Sequence, residues 1–296
     1  MPVFKGCQSG KQMLVSPGHY SWHAVPMTSY AHDSSKLASD YDRLSDTQFK
    51  SGKRLVERMG LQAGASVLDV GCGTGRLTAW MAERVGPSGQ VVGIDPLAER
   101  IALARQRVPG AQFQIGYAED LGAFADGSFD DVSMSSVFHW VPDKPKALAA
   151  IARVLRPGGK LGFTTLPWEL HAASTMSKVL GSVFAQPGYR ERLRLEKFAL
   201  AHQCSTVTEI ISMVLAAGLD LAELHVMERV RRTASAREMI DFMEASSFGN
   251  FLSAIPEDLH DTFRADFERA ALAHQDPEGF AMRDYGAMIV ACKPGG

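Results

Sequence analysis

The chain has 296 residues, 46% hydrophobic and 22% charged, the balance of an ordinary globular protein with room for a nucleotide-binding core and a cap. Its 31 basic and 33 acidic residues leave a net charge of −2, so the totals carry no nucleic-acid footprint. Cys7, Cys72, Cys204 and Cys292 form no CxxC pair, which leaves no metal-ligand spacing and argues against a disulfide framework.

In chain order, residues 1–26 carry Pro2, Gly6, Gly10, Pro17, Gly18 and Pro26 without periodicity and read as irregular. They lack the apolar core of a secretory signal, no run of about 18 apolar residues offers a membrane span, and Met27 offers an alternative start. Leu37, Tyr41, Leu44, Phe49, Leu55, Val56 and Met59 predict helix in two pieces over Ser35–Met59. Then strands and helices alternate. Strands are expected at 66–70, 90–94, 111–115, 129–135 and 160–165, the last after an Arg156-Pro157-Gly158-Gly159 turn, with helices at 76–85, 97–107 and 144–155. That order predicts a parallel sheet covered on both faces.

Past Pro167, helices are expected at 170–185, 190–202, 206–217, 235–246 and 256–273, and two final strands at 219–230 and 280–292. The expected fold is a Rossmann-like, doubly wound, mostly parallel seven-stranded sheet with helical cap insertions and an antiparallel C-terminal strand. The expected division is 1–59 as N-terminal extension and lid helices, 60–166 as cofactor-binding core, and 167–296 as cap insertions plus the last two strands.

The most informative stretch is Val67-Leu68-Asp69-Val70-Gly71-Cys72-Gly73-Thr74-Gly75. A strand feeds a glycine turn that lets backbone approach a ligand, and a helix N-terminus follows with free amides. The spacing is GxGxG after an acidic residue, and Arg76 replaces the last glycine of a dinucleotide fingerprint. Asp95 ends the second strand, where a carboxylate can accept both ribose hydroxyls; capping the helix after Pro96 is a compatible alternative.

Together, VLDVGCGTG, VVGID, GYAEDL and RVLRPGGKL resemble the class I S-adenosylmethionine methyltransferases over about 60–166. The resemblance is to the group holding ubiquinone/menaquinone, biotin-synthesis and arsenite methyltransferases. It implies that Asp69, Gly71, Gly73 and Gly75 hold the methionine moiety and Asp95 the ribose, with Pro96, Leu97, Ala118 and Glu119 near the adenine. Tyr117 stands where the family often has Asp, so a backbone contact from Ala118 or Glu119 is expected instead. Tyr20, His23, Tyr30 and Tyr41 belong to a segment that folds over the cofactor in similar enzymes; Tyr30 or Tyr41 could meet the methionine carboxylate.

An acceptor must sit beyond the carboxyl ends of the strands, where Ser135 to Trp140 leaves the fourth strand. Ser136, Phe138 and Trp140 are expected to face the substrate, with Phe138 and Trp140 read as wall or core rather than as specific contacts. His139 is a candidate general base, with loop orientation as the alternative, and His171 is a second candidate, with a helix-start role as its alternative. The apolar side chains Met176, Phe184, Met213, Met239, Phe242, Met243, Phe248 and Phe251 suggest either an enclosed pocket or ordinary helix core.

The resemblance implies S-adenosyl-L-methionine as cofactor, S-adenosyl-L-homocysteine as product, and a small-molecule acceptor methylated on O, N, C or S. No nucleic acid and no metal are expected, in a cytoplasmic monomer or homodimer. Rival readings are a non-catalytic binding module, an arsenite methyltransferase and an NAD-dependent dehydrogenase. Arsenite chemistry needs converging thiolates, which the cysteine spacing disfavours; Asp69 and the missing glycine disfavour the dehydrogenase.

Overall fold

The computed structural model describes residues 29–190, 192, 204–253 and 255–295. Eight strands among them form one sheet: β1 (Ser66–Val70), β2 (Gln90–Asp95), β3 (Gln112–Ile115), β4 (Phe129–Met134), β5 (Leu155–Thr165), β6 (Asp220–Thr233), β7 (Gln275–Asp276) and β8 (Gly279–Cys292). Their order is β3-β2-β1-β4-β5-β8-β6, with the two-residue β7 paired to β8 as an eighth strand beyond the expected seven. The first five run parallel, and β8 lies antiparallel to both β5 and β6.

The helices are α1 (Ser35–Leu44), α2 (Asp46–Met59), α3 (Arg76–Val85), α4 (Ala98–Arg107), α5 (Lys144–Val154), α6 (Trp168–His171), α7 (Thr175–Phe184), α8 (Pro187–Arg190), α9 (Val207–Ala216), α10 (Ala236–Ser246), α11 (Asn250–Ser253) and α12 (His260–Ala271). The helix expected at 190–202 falls almost wholly outside the described residues, as do Cys7, Tyr20 and His23.

Helices cover both faces of the inner strands, so apolar residues point both ways in β1 (Val67, Leu68, Val70) and β2 (Val91, Val92, Ile94). Leu68, Val132, Leu161 and Phe163 are fully buried and join Leu148 and Ile151 of α5 in the main core. On the other face, Leu55, Val56 and Met59 of α2 pack with Val67, Met81 and Val290. The Arg156-Pro157-Gly158-Gly159 stretch, expected as a turn, is instead an irregular part of β5. Its register against β4 shifts between Phe129 and Asp131, and Gly158 N–H donates to Lys293 O at 2.9 Å.

Two departures from a plain open sheet position the site. First, β5 pairs with β8 only from Lys160↔Cys292 to Thr165↔Ala287, whereas β6 follows β8 on to Thr233↔Phe280. The β6–β8 pair therefore overhangs the carboxyl end of β5. Second, α7, α8, α10, α11 and α12 share their own apolar cluster, built on Val179, Met239, Phe251, Phe263, Phe267 and Phe280. That cluster sits on the overhang.

The Phe138 and Phe163 rings meet at 4.5 Å in the core beneath the site. Phe163→Ala is expected to lower unfolding stability by about 3–5 kcal/mol. Denaturant melts of the two proteins measure it, and a loss below about 1 kcal/mol would contradict this packing.

Candidate active site

The order of the sheet reverses around β1, which has β2 on one side and β4 on the other. In a parallel sheet this leaves a crevice at the carboxyl ends of the strands. Three cavities open along it. One, of about 670 Å³, is lined by Tyr30, Tyr41, Gly71, Gly73, Asp95, Pro96, Leu97, Ala118 and Glu119, with Ser136 and Trp140 at its inner end. A smaller one, of about 440 Å³, holds Asp69, Gly71, Gly73 and Tyr41 with Gln48 and Arg76. The third, of about 1030 Å³, reaches under α7 and α10 and includes Ser136, His139, Trp140 and His171.

The glycine turn is a backbone device. Gly71, Gly73 and Gly75 all have positive φ, at +70°, +54° and +76°, where a Cβ would be strained. Their surroundings differ. A Cβ on Gly71 would strike Val137 Cγ2 at 2.2 Å, and one on Gly75 would press on Ala104 at 3.0 Å. On Gly73 it would meet only Tyr41, at 3.6 Å, so at this position the backbone borders open space. Gly75 lines none of the three cavities; it seats α3 against α4 and β3.

Asp95 is 6% exposed at the end of β2. Gly73 N–H donates to its Oδ2 and Leu97 N–H to its Oδ1, both at 2.9 Å. The carboxylate thus caps the turn into α4, and each oxygen keeps a second lone pair for a further donor. Burial pushes its pKa up, against the opposing pull of Arg100. Asp69 is also buried, accepts 2.7 Å from Thr78 Oγ1, and is pushed up to about 7 by burial. Both carboxylates lie where an arriving cation or hydroxyl donor would relieve them.

Burial raises the Cys72 thiol well above its ordinary value, so the cysteine of the glycine turn is a packed thiol without nucleophilic character. Cys204 is likewise pushed up to about 11. Among the described residues no three His, Cys, Asp or Glu side chains converge as a metal site.

Tyr30 brings the segment before α1 to the border of the first cavity. Ser29 N–H donates to Asn250 Oδ1 at 3.1 Å, and Asn250 Nδ2 returns a bond to Ser29 O at 2.8 Å. The Tyr30 ring then lies between Tyr117 and Phe248, at 6.0 and 5.9 Å. Arg100, 3% exposed, donates to Ala245 O at 2.7 Å. Its guanidinium lies 4.3 Å over Tyr41 and 4.9 Å over Phe248.

On the other side, His139 is buried on the short turn Phe138–Trp140 and its ring lies 5.4 Å from Trp140. His171 stacks on Trp168 at 5.9 Å, and burial lowers its pKa, so it is neutral at neutral pH. Phe138 does not face the cavity: it is fully buried in the main core against Phe163. The expectation that it faces substrate gives way to the core alternative: in this turn Phe138 alone points back onto Phe163 of β5, while His139 and Trp140 beside it line the cavities. Ser136, at φ +62°, borders both large cavities.

Of the apolar candidates, Met176, Phe242 and Met243 do line the third cavity and Phe248 the first. Met239 and Phe251 are core of the second cluster, against which Phe184 packs, and Met213 packs on the main core. Sequence reading missed Arg100, Ser246, Arg229 and Arg231. The two β6 arginines stand in a charged run, Glu228-Arg229-Val230-Arg231-Arg232, that reads as a solvated strand face. Only the overhang and the helices packed on it turn alternate members inward.

The methyltransferase domain model matches residues 68–163. A ubiquinone/menaquinone biosynthesis C-methyltransferase of Hahella chejuensis is 31% identical over 232 residues, covering 70% of this chain and 91% of that protein. Nocamycin O-methyltransferase of Saccharothrix syringae is 29% identical over 253 residues, 81% of this chain and 89% of that one. YcgJ of Bacillus subtilis superposes with TM-score 0.57 at 18% identity, covering 83% of this chain and 99% of its own, a likeness of fold. On its glycine turn, its strand order and the span of these matches, the chain belongs to the S-adenosylmethionine-dependent methyltransferases.

Proposed function

We propose that the protein transfers a methyl group from S-adenosylmethionine to a small-molecule acceptor, with the cofactor between the glycine turn and the lid and the acceptor in the cavity under α7 and α10. The observation that carries this reading is the shared wall: Tyr41, Ser136, Trp140 and Ser246 border both large cavities. On this reading 60–166 is the cofactor-binding core, 29–59 brings the lid, and the helices between 168 and 271 enclose the acceptor.

The residues present fit the group. Gly73 borders open space, Asp95 offers its remaining lone pairs to the ribose hydroxyls, and Asp69 offers a carboxylate to the ammonium of the methionine moiety. Leu97, Ala118 and Tyr30 border the adenine end. When bound, the cofactor supplies an electrophilic methyl carbon on a cationic sulfur that departs with the bonding electron pair. The chain's own tasks are to align the acceptor lone pair with that carbon and to exclude water. Where the acceptor carries a proton at neutral pH, His139 on the cavity wall is the residue to take it.

Three measurements test this. Asp95→Ala is expected to weaken S-adenosylhomocysteine binding by roughly 1–3 kcal/mol in calorimetry, the range for losing a buried hydrogen-bonding partner; unchanged affinity would remove Asp95 from the ribose.

Asp69 gives a pH signature. With its pKa raised to about 7, the carboxyl is protonated at lower pH and must ionise to meet an ammonium. Affinity for the same ligand should therefore rise with pH through about 7. Below that it should fall toward about tenfold per pH unit. Asp69→Asn should flatten the profile, and an unchanged profile in that variant would refute the pairing.

His139→Ala should lower turnover by about 10²–10⁴-fold while leaving cofactor affinity intact. A loss under about tenfold would leave His139 as cavity wall only.

A further inference from the structure

Arg231 is 7% exposed, yet it lines the acceptor cavity from β6. Its Nη1 donates to Leu44 O at 3.0 Å, its Nη2 donates to Gln48 Oε1, and its guanidinium carbon lies 3.6 Å over the Phe242 ring. Every one of these partners is neutral. Among the described residues no carboxylate comes within ion-pair distance of it. Arg229, two residues before it on β6, takes its own cross-strand partner Asp284, with Nε to Oδ1 at 2.7 Å.

The contrast with Arg100 is informative. That arginine is equally buried, but it lies 3.7 Å from Asp33. A buried cation without a counter-charge is costly to hold. Carbonyl, amide and ring contacts lower that cost without removing it, and burial accordingly brings the Arg231 pKa down to about 10. The guanidinium is still charged at neutral pH, in a cavity whose remaining ion pair is balanced. One positive charge is left over for whatever enters.

We infer that the methyl acceptor is a small, largely apolar molecule bearing a carboxylate-type anion, and that Arg231 receives that anion while Trp140, Met176, Phe242, Met243 and Met282 enclose the rest. The inference rests on the methyltransferase reading for calling the occupant an acceptor. A carboxylate also belongs to the methionine moiety of the cofactor. Arg231, however, borders neither of the two cavities formed by the glycine turn. That assigns it to the acceptor side.

The test is calorimetry on the full chain loaded with S-adenosylhomocysteine, using matched acid and amide pairs: benzoate and benzamide, cinnamate and cinnamamide, octanoate and octanamide. At least one acid should bind about 10–100-fold more tightly than its amide, the effect of a charge-assisted contact. Arg231→Met, which keeps bulk and removes charge, should erase that preference while S-adenosylhomocysteine affinity stays within about twofold. Arg231→Lys should keep part of it, and decides the matter if the Met variant does not fold.

The proposal is overturned if no acid is preferred over its amide, or if the preference survives in Arg231→Met. It is also overturned if that variant loses S-adenosylhomocysteine affinity as strongly as acid affinity, since the arginine would then read the cofactor. A wild-type chain that does not bind S-adenosylhomocysteine at all would refute the methyltransferase reading instead. The acid and amide comparison on unloaded protein would still judge Arg231.

Discussion

The burial of Asp95 is the constraint on which the rest of the site depends. A carboxylate taken out of water needs donors, and here they are backbone N–H groups from Gly73 and Leu97. Those two bonds tie the turn after β1 to the turn after β2. For Gly73 N–H to point at Asp95, the chain must leave β1 through positive φ, which is why glycines stand at 71 and 73. The carboxylate thus organises its surroundings before any ligand arrives, and the desolvation it suffers is what makes a hydroxyl donor welcome.

The acceptor side follows a different logic. No backbone motif builds it. Its wall comes from the long β6–β8 pairing, which continues past the last β5 partner at Thr165 and so carries Arg229, Arg231, Met282 and Asp284 over the carboxyl end of the sheet. An exposed antiparallel pair of that length would present apolar side chains to water; the helices of the second cluster cover it, with Phe280 packed against Phe267. The lid obeys the same economy, since Asn250 and Ala245, which hold Ser29 and Arg100, belong to or follow the helix that also walls the acceptor cavity. The segment before α1 and the wall of the third cavity are thus held by the same stretch of chain.

Much of this could be read from the chain alone. The alternation of short apolar strands with helices of about ten residues specified the parallel core, because each element carried its own punctuation: Gly75 before α3, Gly86 after it, Asp143 capping α5. The cofactor-side candidates were legible for the same reason, being local in sequence. Phe138 was left between substrate-facing and core because a three-residue turn has no periodicity to say which side chain faces the core. Arg231 was invisible because its hydrogen-bond partners Leu44 and Gln48 lie 187 and 183 residues before it in sequence, and the Phe242 ring reaches it only once α10 folds back on β6. The Arg156 to Gly159 stretch looked like a turn, yet Gly158 and Gly159 are held by Lys293 at the end of β8, a partner no local pattern announces.

The two halves of the site therefore differ in what can change without loss of fold. On the cofactor side, recognition and folding use the same atoms: removing the Asp95 carboxylate also frees two buried N–H groups, and a side chain at Gly71 collides with Val137. On the proposed acceptor side, the lining is side chains such as Arg231, Met176 and Met243 on a frame whose hydrogen bonds lie in the β6–β8 ladder and the helices behind it. A frame of that kind holds an uncompensated guanidinium at a cost borne elsewhere in the core. The cost is relieved when an anion enters, so the same charge that weakens the empty protein raises its preference for one class of occupant. Discrimination by charge suits this cavity better than discrimination by shape, because its methionine-rich wall adapts to many outlines while a single fixed cation does not adapt at all.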